Sequence, residues 1–273
     1  MFIFGHKMIK KSIYIVVFFI LVGMFNTSIA GNTDSPYDKI LNVSESFLGT
    51  PYILNPLGEG DTGTISKNPL YRFDAFDCQT FVETVLAKSL TGTDADFKNM
   101  MNKIRYRDSL ISFETRNHFQ NPDWVENNKW IVENVSDVFV KSLDEIGMSK
   151  ITLNRQQWFK QNYKLNVDIP IQNVSLNYIP LEYLLSNLDW ITNKIDRPYI
   201  FMTVVNGKTT LNKIGTEYDV SHTGFLIKKD RELYIRHASF IYKKVVDEKL
   251  SDYIKKLQKN PKYLGFSILE IKA

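Results

Sequence analysis

The sequence predicts an α+β fold, in which helices come first and an antiparallel sheet follows. Apolar side chains recur at helical spacing soon after residue 30, whereas the last third of the chain carries short runs rich in β-branched and aromatic residues. Two of these runs, residues 223–227 and 233–237, flank a polar segment that is typical of a hairpin turn. Helices grouped before an antiparallel sheet indicate the α+β class.

The first 30 residues have the pattern of a secretory signal peptide. Three lysines precede an apolar run over residues 13–25, and Ser28 and Ala30 have the spacing of a signal-peptidase site. We therefore expect cleavage after Ala30, a periplasmic or secreted protein, and no stable membrane anchor after signal removal. An uncleaved anchor helix is the alternative, but the run is shorter than the roughly 20 apolar residues that span a bilayer.

Charge and cysteine content narrow the possible functions. Without the three lysines of the signal, the formal net charge falls from +4 to +1, so the chain lacks the basic surface of a nucleic-acid binder. Its single cysteine can form neither an intrachain disulfide nor a thiolate metal cluster. Histidine spacings typical of zinc sites do not occur, so we expect no metal and no cofactor.

Residues 31–273 contain no linker and no repeat, and they predict a single domain. A helix is predicted over residues 36–48, and residues 50–70, rich in Gly, Pro, Asn and Thr, predict a long surface loop. A second helix is predicted to begin at Cys78 and to end near Gly92. These elements precede the sheet and would pack on it.

The middle of the chain has weaker periodicity. Residues 105–135 are aromatic and irregular, residues 137–165 carry mixed and mostly helical signals, and a short helix follows Pro180. We expect an insert at about residues 100–175 to select the substrate. The predicted strands of the last third are residues 200–205, 223–227, 233–237 and 266–271.

Cys78 follows a candidate N-cap, Asp77, and begins an amphipathic helix. Unpaired amides and the positive end of the helix dipole favour a thiolate there, so we expect a lowered thiol pKa and an oxyanion donor at the backbone N–H. The alternative is an inert cysteine that packs inward beside Phe81 and Val82. In an exported protein an unpaired thiol favours the functional interpretation.

Two histidines offer a base for this thiol. His222 begins one predicted strand and His237 ends the next. If the hairpin is centred between Asp230 and Arg231, the two imidazoles share one end of the sheet and one can hold the other. As isolated residues, each is also explained by a structural hydrogen bond.

These residues resemble the NlpC-like cell-wall hydrolases of the papain fold. The order of a cysteine at a helix start and histidines on two successive strands is similar, as are Gly49-Thr50-Pro51-Tyr52, Ser221-His222-Thr223-Gly224 and His237-Ala238-Ser239. The chain is more similar still to the N-acetylmuramoyl-L-alanine amidase-like branch of that superfamily. That resemblance lies in Phe76 to Glu83, in Arg116 to Trp124 and in Tyr178-Ile179-Pro180.

The resemblance implies a papain-like, NlpC-type cysteine hydrolase core and a role for each matching residue. It implies that Cys78 is the nucleophile, that His222 is its base and that His237 orients the base. Tyr52 matches a tyrosine that assists the oxyanion. Asp77 matches an acid that caps the helix and, in endopeptidase members, helps to bind a free L-Ala amine.

The chain departs from many family members where Cys78-Gln79-Thr80 replaces Cys-Ser-Gly. Loss of that serine argues against recognition of a free L-Ala terminus and favours an amidase.

The insert offers further candidates for substrate binding. Arg116 could pair with a stem-peptide carboxylate, and Trp124 could stack on a sugar or peptide face. Asp123 and His118 belong to the same resembling segment. The alternatives are that Trp124 covers the core, that Arg116 bonds to the backbone and that His118 makes a structural hydrogen bond.

The predicted function is that of a secreted cysteine amidase that cleaves peptidoglycan between N-acetylmuramic acid and L-Ala. Its partners would be peptidoglycan or muropeptide fragments. The alternatives are a γ-D-glutamyl-diaminopimelate endopeptidase, a non-catalytic secreted binding module, and the same chemistry directed at a foreign cell wall or a host protein.

Overall fold

An antiparallel sheet of eight strands forms the centre of the computed structural model, which describes residues 35–272. The strands are β1 Val132–Asn134, β2 Gly147–Leu153, β3 Gln172–Pro180, β4 Tyr199–Val205, β5 Val220–Lys229, β6 Glu232–Ser239, β7 Lys244–Lys249 and β8 Tyr263–Ile271. Their order across the sheet is β2-β3-β8-β4-β5-β6-β7, and β1 also pairs with β8. The predicted α+β class is confirmed.

Helices cover both faces of this sheet. They are α1 Pro36–Ser46, α2 Cys78–Ser89, α3 Asp94–Arg105, α4 Arg155–Tyr163, α5 Leu181–Ser186, α6 Leu188–Lys194, α7 Leu211–Ile214 and α8 Leu250–Leu257. Residues Gln120–Val125 form a short π-helical segment. None of the helices in residues 35–272 is long and apolar enough to cross a membrane.

The alternation of side chains along β5 separates two hydrophobic clusters. Phe225 packs against Phe81 of α2, with ring centroids 5.7 Å apart, and belongs to the cluster under α1, α2 and α3. The next residue, Leu226, belongs to the cluster that contains Leu250 and Ile254 of α8. Successive side chains of a strand point to opposite faces, so β5 is buried from both sides.

A capping box explains why α2 begins at Cys78. Asp77 Oδ1 accepts a hydrogen bond from the Thr80 backbone N–H at 2.8 Å, and Thr80 Oγ1 accepts one from the Asp77 N–H at 3.0 Å. The backbone donors of Asp77 and Thr80 are thereby satisfied, which is the reciprocal pattern of a capping box. Most of α2 is buried against β5 and the neighbouring helices, which fixes the position of its first residue.

The hairpin of β5 and β6 has the predicted register. Pairs run from Phe225 with Arg236 to Lys229 with Glu232, so the turn is centred between residues 230 and 231. Asp230 takes a positive φ of 54°, a conformation that Asp tolerates better than most residues. This register places residues 222 and 237 on the same face of the sheet, two positions apart.

The predictions for the middle of the chain are partly wrong. Residues 137–165 were expected to be mostly helical, but they contain β2, whose buried Ser149, Ile151 and Leu153 alternate with exposed residues. The alternation of buried and exposed residues in β2 is short, and α4 begins two residues after it ends. The helical pattern of α4 therefore obscures the strand pattern in the sequence. Helix α3 and strands β1, β3 and β7 were also missed, whereas the helices predicted at 36–48, after Cys78 and after Pro180 are confirmed. The predicted signal peptide lies outside the described residues.

Candidate active site

The start of α2 opens onto a cavity of about 290 Å³ that contains Cys78. Cys78 is the first residue of the helix, and it is partly exposed. The cavity is lined by Tyr52, Leu54, Asn55, Asp77, Cys78, Gln79, Thr80, Arg105, Arg116, Asn117, His118, Gln120, Tyr218, Val220 and Ser221. A larger groove of about 430 Å³ lies elsewhere, beside β1 and β3, and is lined by neither the thiol nor an imidazole.

The thiol of Cys78 is protonated at rest. Burial, reinforced by the neighbouring carboxylate of Asp77, raises the pKa of Cys78 to about 12. Backbone N–H groups of Thr223 and Gln79 favour the thiolate, but their effect is smaller. The predicted lowering of this pKa is therefore wrong, because desolvation outweighs the positive end of the helix.

His222 and His237 form a direct pair. His222 Nε2 lies 2.6 Å from His237 Nδ1, and His237 is almost fully buried, with 2% of its surface exposed. The predicted contact between the two imidazoles is confirmed. Burial, followed by the proximity of His237, holds the pKa of His222 well below its usual value. His222 is therefore a neutral base at neutral pH.

Gly224 makes room for this pair. A Cβ at Gly224 would lie 2.8 Å from the Cβ of His237 and 2.7 Å from the backbone oxygen of Arg236. Real Cβ atoms do not approach other heavy atoms so closely, so a side chain at 224 must push β6 and its histidine away. The position therefore requires a glycine, because the space between β5 and β6 cannot hold a side chain there.

Replacing Gly224 with Ala is expected to lower the free energy of unfolding by about 1–3 kcal/mol, because the new methyl group overpacks the β5–β6 pair. Gly92→Ala is the matched control, since a Cβ there meets nothing within 4 Å, and we expect a change within about 0.5 kcal/mol. Urea unfolding of both variants measures the difference. Equal stability of the two variants would show that β6 is not held this closely.

Tyr52 and Asp77 lie at the cavity, as the resemblance implied. Burial, together with the charges of Cys78 and Asp77, raises the pKa of Tyr52, so its hydroxyl keeps its proton. Both carboxylate oxygens of Asp77 already have partners: Thr80 donates to Oδ1 and the backbone N–H of Asn55 donates to Oδ2 at 3.1 Å. Asp77 therefore acts as a structural cap at this wall of the cavity.

Two arginines of the cavity wall are held by buried glutamates. Arg116 Nε lies 2.7 Å from Glu59 Oε1, and Nη2 contacts the same oxygen. Arg105 Nη1 lies 2.7 Å from Glu83 Oε2 on α2. The Arg116 side chain is thus bonded to a carboxylate of this chain rather than to the backbone. Its remaining nitrogen, Nη1, makes no hydrogen bond to another residue of the described part of the chain.

The other predicted binding residues have mainly structural surroundings. His118 contacts the backbone oxygen of Phe113 at 2.6 Å, and burial lowers the pKa of His118 to about 3. Asp123 forms an ion pair with Arg155 and lines a separate cavity of about 160 Å³. Trp124 is 2% exposed and belongs to the hydrophobic core. Of the two alternatives for Trp124, stacking on a ligand is wrong and packing in the core is confirmed.

Several residues at the cavity were not identified as candidates from the sequence. Among them, Tyr218 and Gln120 line the cavity, and Gln79 lines it and donates to Glu83 at 3.2 Å. Tyr218 lies four residues before His222, which is the one sequence signal that could have identified it. Within residues 35–272 no cluster of three or more His, Cys, Asp or Glu side chains is placed to hold a metal ion.

Comparisons with known proteins point to one family. A model of the N-acetylmuramoyl-L-alanine amidase-like (AmiA-like) family matches residues 42–261. A search of curated proteins finds no significant match.

Three solved structures are similar to this chain. One from Legionella pneumophila is 29% identical with a TM-score of 0.82, and the match covers 88% of this chain and 90% of that one. An N-acetylmuramoyl-L-alanine amidase from Bacteroides uniformis is 26% identical with a TM-score of 0.65, covering 87% of this chain and 99% of its own. A Bacteroides fragilis protein named as a candidate xylanase is 25% identical with a TM-score of 0.64, covering 84% and 99%.

Proposed function

The chain belongs to the N-acetylmuramoyl-L-alanine amidase-like family, and from that membership we propose that it is a secreted cysteine amidase of peptidoglycan. The bond it hydrolyses joins the lactyl group of N-acetylmuramic acid to L-Ala of the stem peptide. The observation that carries the proposal is the placement of the Cys78 thiol in an open cavity, on a helix that packs against the strand bearing His222. A papain-like order of cysteine, histidine and histidine is part of the same proposal.

The raised pKa of Cys78 and the lowered pKa of His222 determine how the thiol loses its proton. The thiol of Cys78, which is contacted by the backbone N–H of Thr223 next to His222, has a pKa near 12, and His222 is neutral, so the two do not form a resting ion pair. His222 instead takes the proton from Sγ as the sulfur attacks the lactyl carbonyl carbon. The amide C–N bond then breaks, the imidazolium gives its proton to the departing L-Ala nitrogen, and water hydrolyses the thioester that remains on Cys78.

Donors at the helix start stabilise the oxyanion of the tetrahedral intermediate. The backbone N–H of Cys78 belongs to the first turn of α2, where it is free of intrahelical bonds. The Tyr52 hydroxyl keeps its proton to high pH, and Tyr52 lines the same cavity as Cys78. A neutral donor and a helix-start amide are the groups that such an oxyanion requires.

The surroundings of Asp77 favour the amidase over the endopeptidase. An endopeptidase of this class must hold a free, positively charged L-Ala amine. Both oxygens of Asp77 are already occupied by Thr80 and Asn55, and Gln79 is turned toward Glu83. These bonds leave Asp77 little capacity to hold an ammonium group, whereas an uncharged lactyl amide makes no such demand.

Glycoside hydrolysis fits the cavity poorly. Glycosidases of the usual type place two carboxyl groups on opposite sides of the scissile bond. Among the residues that line this cavity, Asp77 alone carries a carboxylate, and it is engaged as the helix cap. The xylanase name of one structural relative is therefore not carried over to this chain.

Digestion of a purified disaccharide-tetrapeptide, followed by mass analysis, tests the proposal. We expect an intact disaccharide with a free lactyl carboxylate and an intact stem peptide that begins with L-Ala. A disaccharide that retains L-Ala-D-Glu would identify the γ-D-glutamyl endopeptidase instead. Binding without any new product would identify a non-catalytic module.

The pH dependence of alkylation is expected to lack the plateau of an ion-paired cysteine. Because the Cys78 pKa is raised to about 12, the fraction of thiolate should increase tenfold per pH unit through the neutral range. Iodoacetamide labelling followed by mass spectrometry measures this rate, with glutathione as the reference thiol. A rate that is constant between about pH 5 and pH 8 would indicate a resting thiolate and contradict the general-base mechanism.

The proposal includes export, which the basic start, the apolar run and the small residues before Gly31 support. We expect N-terminal sequencing of the protein recovered outside the cytoplasm to begin at Gly31. A chain that retains its first 30 residues would indicate an uncleaved anchor.

A further inference from the structure

Glu248 lies at the far end of the imidazole pair, on β7. Its Oε2 is 3.5 Å from His237 Nε2. That nitrogen is buried and makes no hydrogen bond of normal geometry among residues 35–272, and the Glu248 carboxylate is the charged group that faces it. Glu248 itself is 8% exposed. Since a buried ring nitrogen without a partner is costly, the carboxylate is the group placed to satisfy it.

The strand register explains this arrangement. In β6 and β7, Ile235 pairs with Glu248 and His237 pairs with Val246. Because alternate side chains share a face, His237 and Glu248 project from the same face one diagonal step apart. The register of β5 and β6 brings His222 to the other side of His237. The three side chains therefore form one row across three adjacent strands.

Helix α8 supplies the remaining groups around Glu248. Lys256 Nζ donates to Glu248 Oε1 at 2.5 Å and to the hydroxyl of Tyr242 at 2.7 Å. The ring of Tyr253 lies 5.6 Å from that of His237. Burial opposes a charge on Glu248, but the proximity of His237 and the hydrogen bond from Lys256 lower its pKa overall. Glu248 is therefore a carboxylate at neutral pH.

An ionised carboxylate accepts hydrogen bonds and donates none, which determines where the imidazole protons lie. His237 Nε2 must carry a proton in order to donate to Glu248. Nδ1 of a neutral His237 is then an acceptor, so the proton in the contact with His222 belongs to His222 Nε2. This leaves Nδ1 of His222 with a free lone pair.

We propose that Glu248 is a positioning residue, which acts through His237 to keep His222 in the tautomer that can deprotonate Cys78. This inference rests on the proposed cysteine mechanism. When His222 accepts the thiol proton, it becomes an imidazolium that still donates from Nε2 to His237 Nδ1. The proton stays on His222 until the leaving amine takes it, and the negative charge of Glu248 stabilises the positive charge of the row.

An isosteric substitution is enough to break this arrangement. In Glu248→Gln, Lys256 still requires an acceptor, so the amide oxygen turns to Lys256 and the NH₂ group faces His237. A donor would then meet the His237 Nε2–H, which favours the opposite tautomer in both rings. Adding Lys256→Met removes the competing donor and lets the amide oxygen turn back to His237.

Steady-state hydrolysis of the disaccharide-tetrapeptide is the first readout. We expect Glu248→Gln to reduce kcat by about 10- to 100-fold with KM little changed, because the residue does not touch substrate. Glu248→Gln/Lys256→Met should recover a substantial part of that loss. The matched control is Glu232→Gln, which removes the charge of an exposed glutamate paired with Lys249 on the same sheet and should leave kcat unchanged.

The second readout is the ¹⁵N NMR signature of the histidine rings, which does not depend on turnover. In the wild-type protein at neutral pH, we expect both His222 and His237 to be protonated at Nε2. In Glu248→Gln, we expect the proton of both rings to shift toward Nδ1. A wild-type His237 protonated at Nδ1 would overturn the proposal, as would unchanged kcat in Glu248→Gln. If wild-type protein cleaves no muropeptide, the proposed function fails, and the ring tautomers still test the role of Glu248.

Discussion

Replacing Cys78 with Ala is expected to reduce kcat/KM for muropeptide hydrolysis by about 10⁴-fold or more, with no measurable change in KM or fold. The nucleophile is removed, so the covalent route is closed, and the oxyanion donors and binding contacts that remain supply only residual catalysis. The substitution removes one sulfur atom from a partly exposed position, so helix α2 should keep its cap and its packing. Mass analysis of product release over time measures the rate.

Ser89→Ala at the other end of α2 is the matched control. Ser89 is buried and its hydroxyl has no hydrogen-bond partner among the described residues. Like Cys78, it is a small polar residue of α2, but it lies at the opposite end of the helix and does not line the cavity. We expect near-wild-type turnover. If Cys78→Ala retains more than about a hundredth of the wild-type rate, the sulfur is not the nucleophile.

Replacing Arg105 with Leu is expected to reduce the free energy of unfolding by about 3–5 kcal/mol, because it leaves a buried carboxylate without its partner. The ion pair of Arg105 with Glu83 links α3 to α2, and the two side chains are 6% and 1% exposed. Arg105 also donates to the backbone oxygen of Leu57 at 3.2 Å. The loss is a large part of the stability of an ordinary domain. Urea unfolding monitored by circular dichroism measures it.

Two variants make this prediction specific. Arg105→Leu/Glu83→Leu should recover most of the stability, because both buried charges are gone and apolar side chains replace them. Arg197→Leu removes a partly exposed arginine that pairs with Asp196 and Glu270, and it should cost about 1 kcal/mol or less. If Arg105→Leu costs no more than Arg197→Leu, the pair does not hold α2 and α3 together.

The parts of the site that were predictable from the sequence depend on local patterns. The capping residue Asp77 and the apolar spacing after Cys78 specify where α2 begins, since both signals lie within a few residues. The two-residue turn at Asp230 determines the register of β5 and β6, and with it the contact between His222 and His237. In each case a short segment of chain determines the geometry.

The parts that were missed depend on contacts between distant segments. Glu248 reaches His237 because β7 pairs with β6, and the turn that joins these strands contains Lys243 at a positive φ of 59° rather than a glycine. Glu59, which holds Arg116, lies in the long loop before α2 and has no periodic pattern around it. Nothing in the local sequence of either glutamate identifies its partner.

The predicted thiol pKa was wrong for a related reason. The helix start favours a thiolate, and that effect is visible in the sequence. The desolvation that outweighs it comes from the burial of the thiol, which is a property of the folded chain. The same limit applies to Trp124, whose aromatic character was evident and whose burial was not.

The most direct measurement of the proposed chemistry uses N-acetylmuramic acid in which the lactyl carboxyl group is replaced by a ¹³C-labelled aldehyde. The aldehyde carbon takes the place of the scissile carbonyl, and attack by Sγ converts it to a tetrahedral thiohemiacetal. In ¹³C NMR we expect the bound carbon to have the shift of a thiohemiacetal in the wild-type protein and to lose it in Cys78→Ala. A label that stays in the free aldehyde and hydrate forms with wild-type protein, or a bound signal that persists in Cys78→Ala, would contradict Cys78 as the nucleophile that attacks the lactyl carbonyl.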